Sequence, residues 1–263
     1  MKASLLCALV LASSFVKAGN ADTKRGAAPI SHRETYEMSL ERTSGYLLTT
    51  RGRTVVETRS GCGSTHTLQR SLSDVTYKDG QPIRTDFVIE TWENVDGRTL
   101  HFHVRNVQSG NGPETHDGTA KLTATGGQVT FTSHDKPFAL PRGTMFPGAF
   151  SQAMLAAAEK GQNVPNRIVF QGGDGRALVT TAVKIGRRIA TLRETAKDPD
   201  GLLKSAAAWP ILISYFPEQE ELPASEVAAT LYAEGLLGSF SLVYPQYTLR
   251  AKLVRVERLP SSC

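Results

Sequence analysis

Three histidines lie close together in the chain: His101, His103 and His116. Neutral imidazoles at i and i+2 on one strand face, with a third nearby, form the donor set of a three-histidine metal site of cupin type. The same strand places Leu100, Phe102 and Val104 on the opposite face. That makes a solvated or rim position the better reading for the pair, and no metal or other cofactor is assigned. Glu90 and Glu93 are three apart on one strand and so face opposite ways, which rules them out as the paired carboxylates of a glycosidase. Neither Gly61-Cys62-Gly63-Ser64 nor Gly238-Ser239 has the Gly-x-Ser-x-Gly spacing of a nucleophile elbow. Gly172-Gly173-Asp174-Gly175 lacks the Lys-Ser/Thr ending of a phosphate loop and reads as a hairpin turn. No residue carries a catalytic assignment, and the chain does not read as an enzyme.

The thiols are more informative. Of three cysteines, Cys7 falls in an N-terminal apolar run over residues 5–16, behind Lys2. That run is too short to cross a bilayer as a helix and ends at Val16-Lys17-Ala18, small or modest residues suited to a signal peptidase. The reading is a signal peptide over residues 1–18 cleaved near Ala18 (after Ala21 as the second choice), and hence a periplasmic protein. Cys62 and Cys263 remain, and an even thiol count in an oxidising compartment favours a disulfide over two free thiols. Closing a loop of about 200 residues is worth roughly 5 kcal/mol at most in the chain-entropy picture. Neither cysteine has a metal-ligand partner at nearby spacing.

Without Lys2 and Lys17, 28 basic residues face 25 acidic ones, a net charge of +3. The charges are scattered, which argues against nucleic acid, where a basic stripe is expected. No later segment approaches 18 uninterrupted apolar residues, so the mature chain is not expected to span a membrane.

Period-two alternation dominates the elements that would hold these side chains. Strands are predicted over residues 36–41, 53–59, 87–92, 99–105, 119–125, 128–132, 167–170, 178–185, 209–216 and 239–244. Asp96-Gly97 makes the turn of the clearest hairpin. In the last strand, over residues 248–259, Leu249, Ala251 and Leu253 share one parity and Val254 and Val256 the other, which predicts a β-bulge near Leu253. One helix is predicted over residues 150–160, with Pro147 near its start, Gly161 as its stop, and Phe146, Phe150 and Met154 on its inward stripe. Residues 225–234 suit either a helix capped by Ser225 or a strand; the alternation of Val227, Ala229 and Leu231 favours the strand.

Five segments carry a resemblance. They are Gly61-Cys62-Gly63, Thr91-Trp92-Glu93-Asn94-Val95-Asp96-Gly97, Leu140-Pro141-Arg142-Gly143-Thr144-Met145-Phe146-Pro147, Val169-Phe170-Gln171-Gly172, and Arg258-Leu259-Pro260-Ser261-Ser262-Cys263. With residues 235–249 they resemble the EipB-type cell-envelope integrity proteins of Gram-negative bacteria. The chain departs from that family at Ser64-Thr65, where an aromatic residue is usual, and at Tyr244-Pro245-Gln246-Tyr247, where a tyrosine-acidic-glycine signature is usual. The resemblance implies a mainly β fold: a long antiparallel sheet curled into a spiral or unclosed barrel around one central helix, similar to periplasmic lipoprotein carriers. It also implies that Cys62 pairs with Cys263. A flexible segment over residues 19–32 then precedes one domain over residues 33–263.

A curled sheet around an Ala- and Met-rich helix leaves room inside. Trp92, Phe102, Phe146, Met154, Trp209 and Tyr215 are the bulky candidates to line that room. The expected function is non-catalytic support of envelope integrity, through a lipid-like or other apolar ligand or a periplasmic protein partner. A purely structural scaffold is the second reading and a metal-dependent, cupin-like enzyme the third.

Overall fold

The computed structural model describes residues 30–261 apart from 46, 62, 79, 133–135, 191–193, 205–206 and 218–219. The expected signal peptide and both Cys62 and Cys263 lie outside the described residues.

Fourteen strands form one antiparallel sheet. In chain order they are β1 (His32–Thr43), β2 (Leu47–Gly61), β3 (Ser64–Tyr77), β4 (Ile83–Asn94), β5 (Thr99–Gln108), β6 (Glu114–Leu122), β7 (Gly127–Phe131) and β8 (Phe138–Leu140). The helix α1 (Pro147–Glu159) follows, then β9 (Val164–Phe170), β10 (Leu178–Ile185), β11 (Ala208–Phe216), β12 (Ser225–Tyr232), β13 (Phe240–Val243) and β14 (Tyr247–Arg258). β1 begins one residue before the expected domain start. It lies mid-sheet, between β2 and β14. From there one arm meanders outward through β2 to β8, and the other arm returns from β9 to β14. The free edges are β8 and β9, and α1 is the connection between them.

The edges nearly meet. Met145 forms a parallel bridge to Val169: its N–H donates to the Ile168 carbonyl (2.9 Å), and its carbonyl accepts from Phe170 N–H (3.0 Å). The rings of Phe138 and Phe170 meet edge to face at 5.8 Å across the gap. β8 is only three residues long, which leaves little open edge to recruit another strand.

Alternation sets what faces inward. On β4, Phe87, Ile89, Thr91 and Glu93 are buried, and Trp92 between the last two is not. The expected bulge is present: Thr35 pairs with Arg255 but Tyr36 with Leu253, so Val254 is the extra residue. The slip lets Leu249, Ala251, Leu253 and Val256 all reach the core. Most of the ambiguous segment over residues 225–234 is strand β12, paired with β11 on one side and β13 on the other, and a turn follows Tyr232.

Inside, α1 packs against β9 and β10. Phe150, Met154, Leu155 and Ala158 join the main apolar cluster, together with residues of β1 and β9 to β14. A second cluster fills the space under β4 to β8 around Phe102, Phe146 and Phe170. The connection from β10 to β11 folds back under the sheet and buries Leu202 and Leu203 in the main cluster. Its turn is tied by Asp198, whose carboxylate accepts from the N–H groups of both leucines (2.8 and 3.0 Å).

Candidate functional site

The six cavity candidates do not stand together. Trp92 is corrected: it lies on the outer face, 37% exposed, with its ring stacked on His66 at 4.9 Å. The reason is parity, since Thr91 and Glu93 take the inward positions on either side. Phe102 and Phe146 are buried in the second cluster, while Met154, Trp209 and Tyr215 belong to the main one.

Trp209 borders an open cavity of about 550 Å³ at the end of the sheet where α1 stops. Its walls include Ala158 and Glu159 of the helix, Ile185, Ala207 and Ala233, with Arg187 and Arg188 at the rim. That volume falls within the range of small-molecule pockets, about 300–1,000 Å³. Sequence reasoning missed the two arginines because a loop Arg-Arg pair has no periodic signal of its own.

The start of α1 is held in an unusual way. No side chain of the helix caps it; Phe146 occupies the cap position and Pro147 the first turn. Glu93 of β4 does so instead, accepting from the N–H groups of Gly148 (2.7 Å) and Ala149 (2.9 Å). A carboxylate is well suited to the positive end of a helix. Burial nevertheless pushes the Glu93 carboxyl up to about 7, against the downward pull of those two N–H groups. Gly148 is required by this contact, since a Cβ there would lie 2.8 Å from Glu93 Oε2.

The histidine trio is split. His101 and His103 point outward, bonded to Thr119 Oγ1 (2.9 Å) and Asp117 Oδ1 (2.5 Å). His116 sits opposite Val104, on the inner side. There it lies with Glu114 and Asp174, their ligand atoms all within 4.8 Å of one another. Arg176 stands among them, Nε to Asp174 Oδ2 (2.6 Å) and Nη2 to Glu114 Oε1 (2.9 Å). The positive charge a metal would bring is therefore already supplied by a guanidinium. The cluster links β6 to the turn between β9 and β10, and so clamps one arm of the sheet to the other. Glu90 faces outward and binds His66 Nε2 (2.7 Å), on the side opposite Glu93 as its spacing requires.

Described residues close in sequence to Cys62 and Cys263 converge on one residue. Ser60 N–H donates to Ser31 Oγ (3.0 Å), and Leu259 N–H donates to the Ser31 carbonyl (2.9 Å).

Among known proteins, the EipB-like family profile matches residues 24–260. The cell envelope integrity protein EipB of Brucella abortus (strain 2308) is 29% identical over 250 residues, covering 91% of this chain and 88% of its own. A solved structure of a beta-barrel-like protein of a domain of unknown function, also from Brucella abortus, superposes with a TM-score of 0.80 at 24% identity, over 88% of this chain and 99% of that one. Among the described residues no helix is long and apolar enough to cross a membrane. With the family match spanning nearly all of the described fold, the chain belongs to the EipB-like family.

Proposed function

We propose that this protein is exported to the periplasm and supports cell-envelope integrity without catalysis, by holding a lipid-like molecule in the cavity beside Trp209. The observation that carries this reading is that cavity, about 550 Å³ with Ala158, Ile185, Ala207 and Ala233 in its wall, in a relative of an envelope integrity protein. A non-catalytic role is supported by the engagement of the obvious acid–base groups. Glu93 caps a helix, Glu90 and Asp117 hold histidines, and Asp174 and Glu114 hold Arg176.

The fold is closed in this reading by a Cys62–Cys263 disulfide. Its support is the convergence of Ser60 and Leu259 on Ser31, two and four residues from the respective cysteines.

Native mass spectrometry of gently purified protein tests the ligand. A stoichiometric adduct with a lipid mass is the expected result. A clean apo mass with a co-purifying protein would favour a scaffold and overturn the reading.

A further inference from the structure

Beyond the end of β10 the chain keeps pairing with β11, but unevenly. Gly186 N–H donates to the Pro210 carbonyl (2.7 Å) and Ile189 N–H to the Ala208 carbonyl (2.9 Å). Two residues, Arg187 and Arg188, therefore stand on one side where Trp209 alone stands on the other. This two-against-one arrangement is that of a β-bulge, and such bulges re-aim side chains at sheet ends. Gly186 fits this close approach: a Cβ there would come within 3.3 Å of the Pro210 carbonyl oxygen.

The result is a cavity with two kinds of wall. Trp209, Ile185 and three alanines present apolar surface, while both arginines are exposed at the rim. Among the described residues neither arginine makes an ion pair or a hydrogen bond. Glu159 is the single acid of the lining, so the rim carries a net positive charge. Guanidinium groups present planar forks of N–H donors that match phosphate and carboxylate oxygens two at a time. A cationic rim above an apolar floor selects a molecule with the opposite polarity at one end only.

We propose that this cavity takes an amphipathic anion, with its alkyl portion against Trp209 and the alanines and its phosphate or carboxylate head on Arg187 and Arg188. The inference rests on the lipid-like ligand proposed above and names its chemical class.

Trp209 reports on its own site once the other tryptophan is removed, since the chain has only two. Trp92 lies on the outer face, so Trp92→Phe leaves the cavity intact. Dodecyl phosphate, dodecanol and inorganic phosphate are titrated separately, each below any micelle concentration, and Trp209 emission is read. Dodecyl phosphate is expected to saturate at one per chain, with dodecanol and inorganic phosphate each weaker by about tenfold or more. In the double variant Arg187→Gln/Arg188→Gln, dodecyl phosphate should fall to the affinity of dodecanol, with the melting temperature unchanged.

Equal affinity for dodecyl phosphate and dodecanol would overturn the anionic class while leaving an apolar-ligand site standing. Inorganic phosphate binding as tightly as dodecyl phosphate would overturn the amphipathic class. Binding of none of the three would remove the class and the lipid reading together. The comparison of head groups needs only the unaltered arginines, so it holds even if the double variant fails to fold.

Discussion

Glu93 couples the chemistry of one carboxyl to the anchoring of the only described helix of more than one turn. Its ordinary value is 4.5 and burial raises it to about 7, so between those values the folded protein binds more protons than the unfolded chain. Stability from this group is therefore fully present below about 4.5 and is lost as pH rises through about 7, by roughly 3 kcal/mol in all. Glu57 and Asp86 are held low by arginine partners and act at lower pH, where their contribution disappears as pH falls. The urea midpoint should accordingly be higher at pH 5 than at pH 8, and Glu93→Gln should flatten that slope; a slope that survives in the variant would assign it to another group. Gly148→Ala drives a methyl group into the same carboxylate and should cost about 1–3 kcal/mol. Most of that cost should vanish in a Glu93→Ala background, as a double-mutant cycle would reveal. Strand parity set Glu93 and Trp92 on opposite faces, but taking the bulky Trp92 as the inward one turned Glu93 the wrong way. The partner of Glu93 was not readable, because the helix start lies 55 residues further along the chain and no local pattern links the two.

Among the elements, legibility followed the apolar pattern. β10 was readable to the residue, and the slip in β14 was readable from its change of phase. β3, fourteen residues long, was not read at all. Its inward positions carry Thr67 and Gln69, both buried, while Leu72 points outward and is exposed, so alternation of hydrophobicity is lost there. Burial of polar side chains by the curled sheet overrides the usual signal. Two substitutions probe the packing of elements. Met154→Ala empties a fully buried position on α1 and should destabilise by about 2–5 kcal/mol, measured by denaturant unfolding. Tyr36→Phe removes the hydroxyl that donates to the Leu237 carbonyl (2.8 Å) and leaves that buried acceptor unpaired. A loss of about 1–3 kcal/mol is expected, with no change in far-UV circular dichroism.

At the scale of the molecule, residue pattern alone named a mainly β chain with one helix, and the resemblance supplied the curl of the sheet around that helix. The order of strands is set by pairings such as His32 with both Thr58 and Arg258, which no local reading reaches. The proposed Cys62–Cys263 bond belongs to this scale because it would tie the turn after β2 to the tail after β14. Replacing both cysteines by serine should lower stability by roughly 2–5 kcal/mol. At roughly 2–4 °C per kcal/mol for a protein of this size, the melting curve would register the loss clearly. Labelling of both thiols in the native, unreduced protein would refute the bond.

The neighbourhood of β1 has a temporal implication. Its eastern and western partners are the second strand to be synthesised and the last, and residues 32 and 258 sit side by side. A growing chain thus carries an unsatisfied edge on β1 until β14, more than 200 residues later, is available to pair with it. Contacts this distant in sequence form slowly and leave adhesive surface open in the meantime. Loss of β14 would therefore open the sheet at its middle rather than at one of its ends.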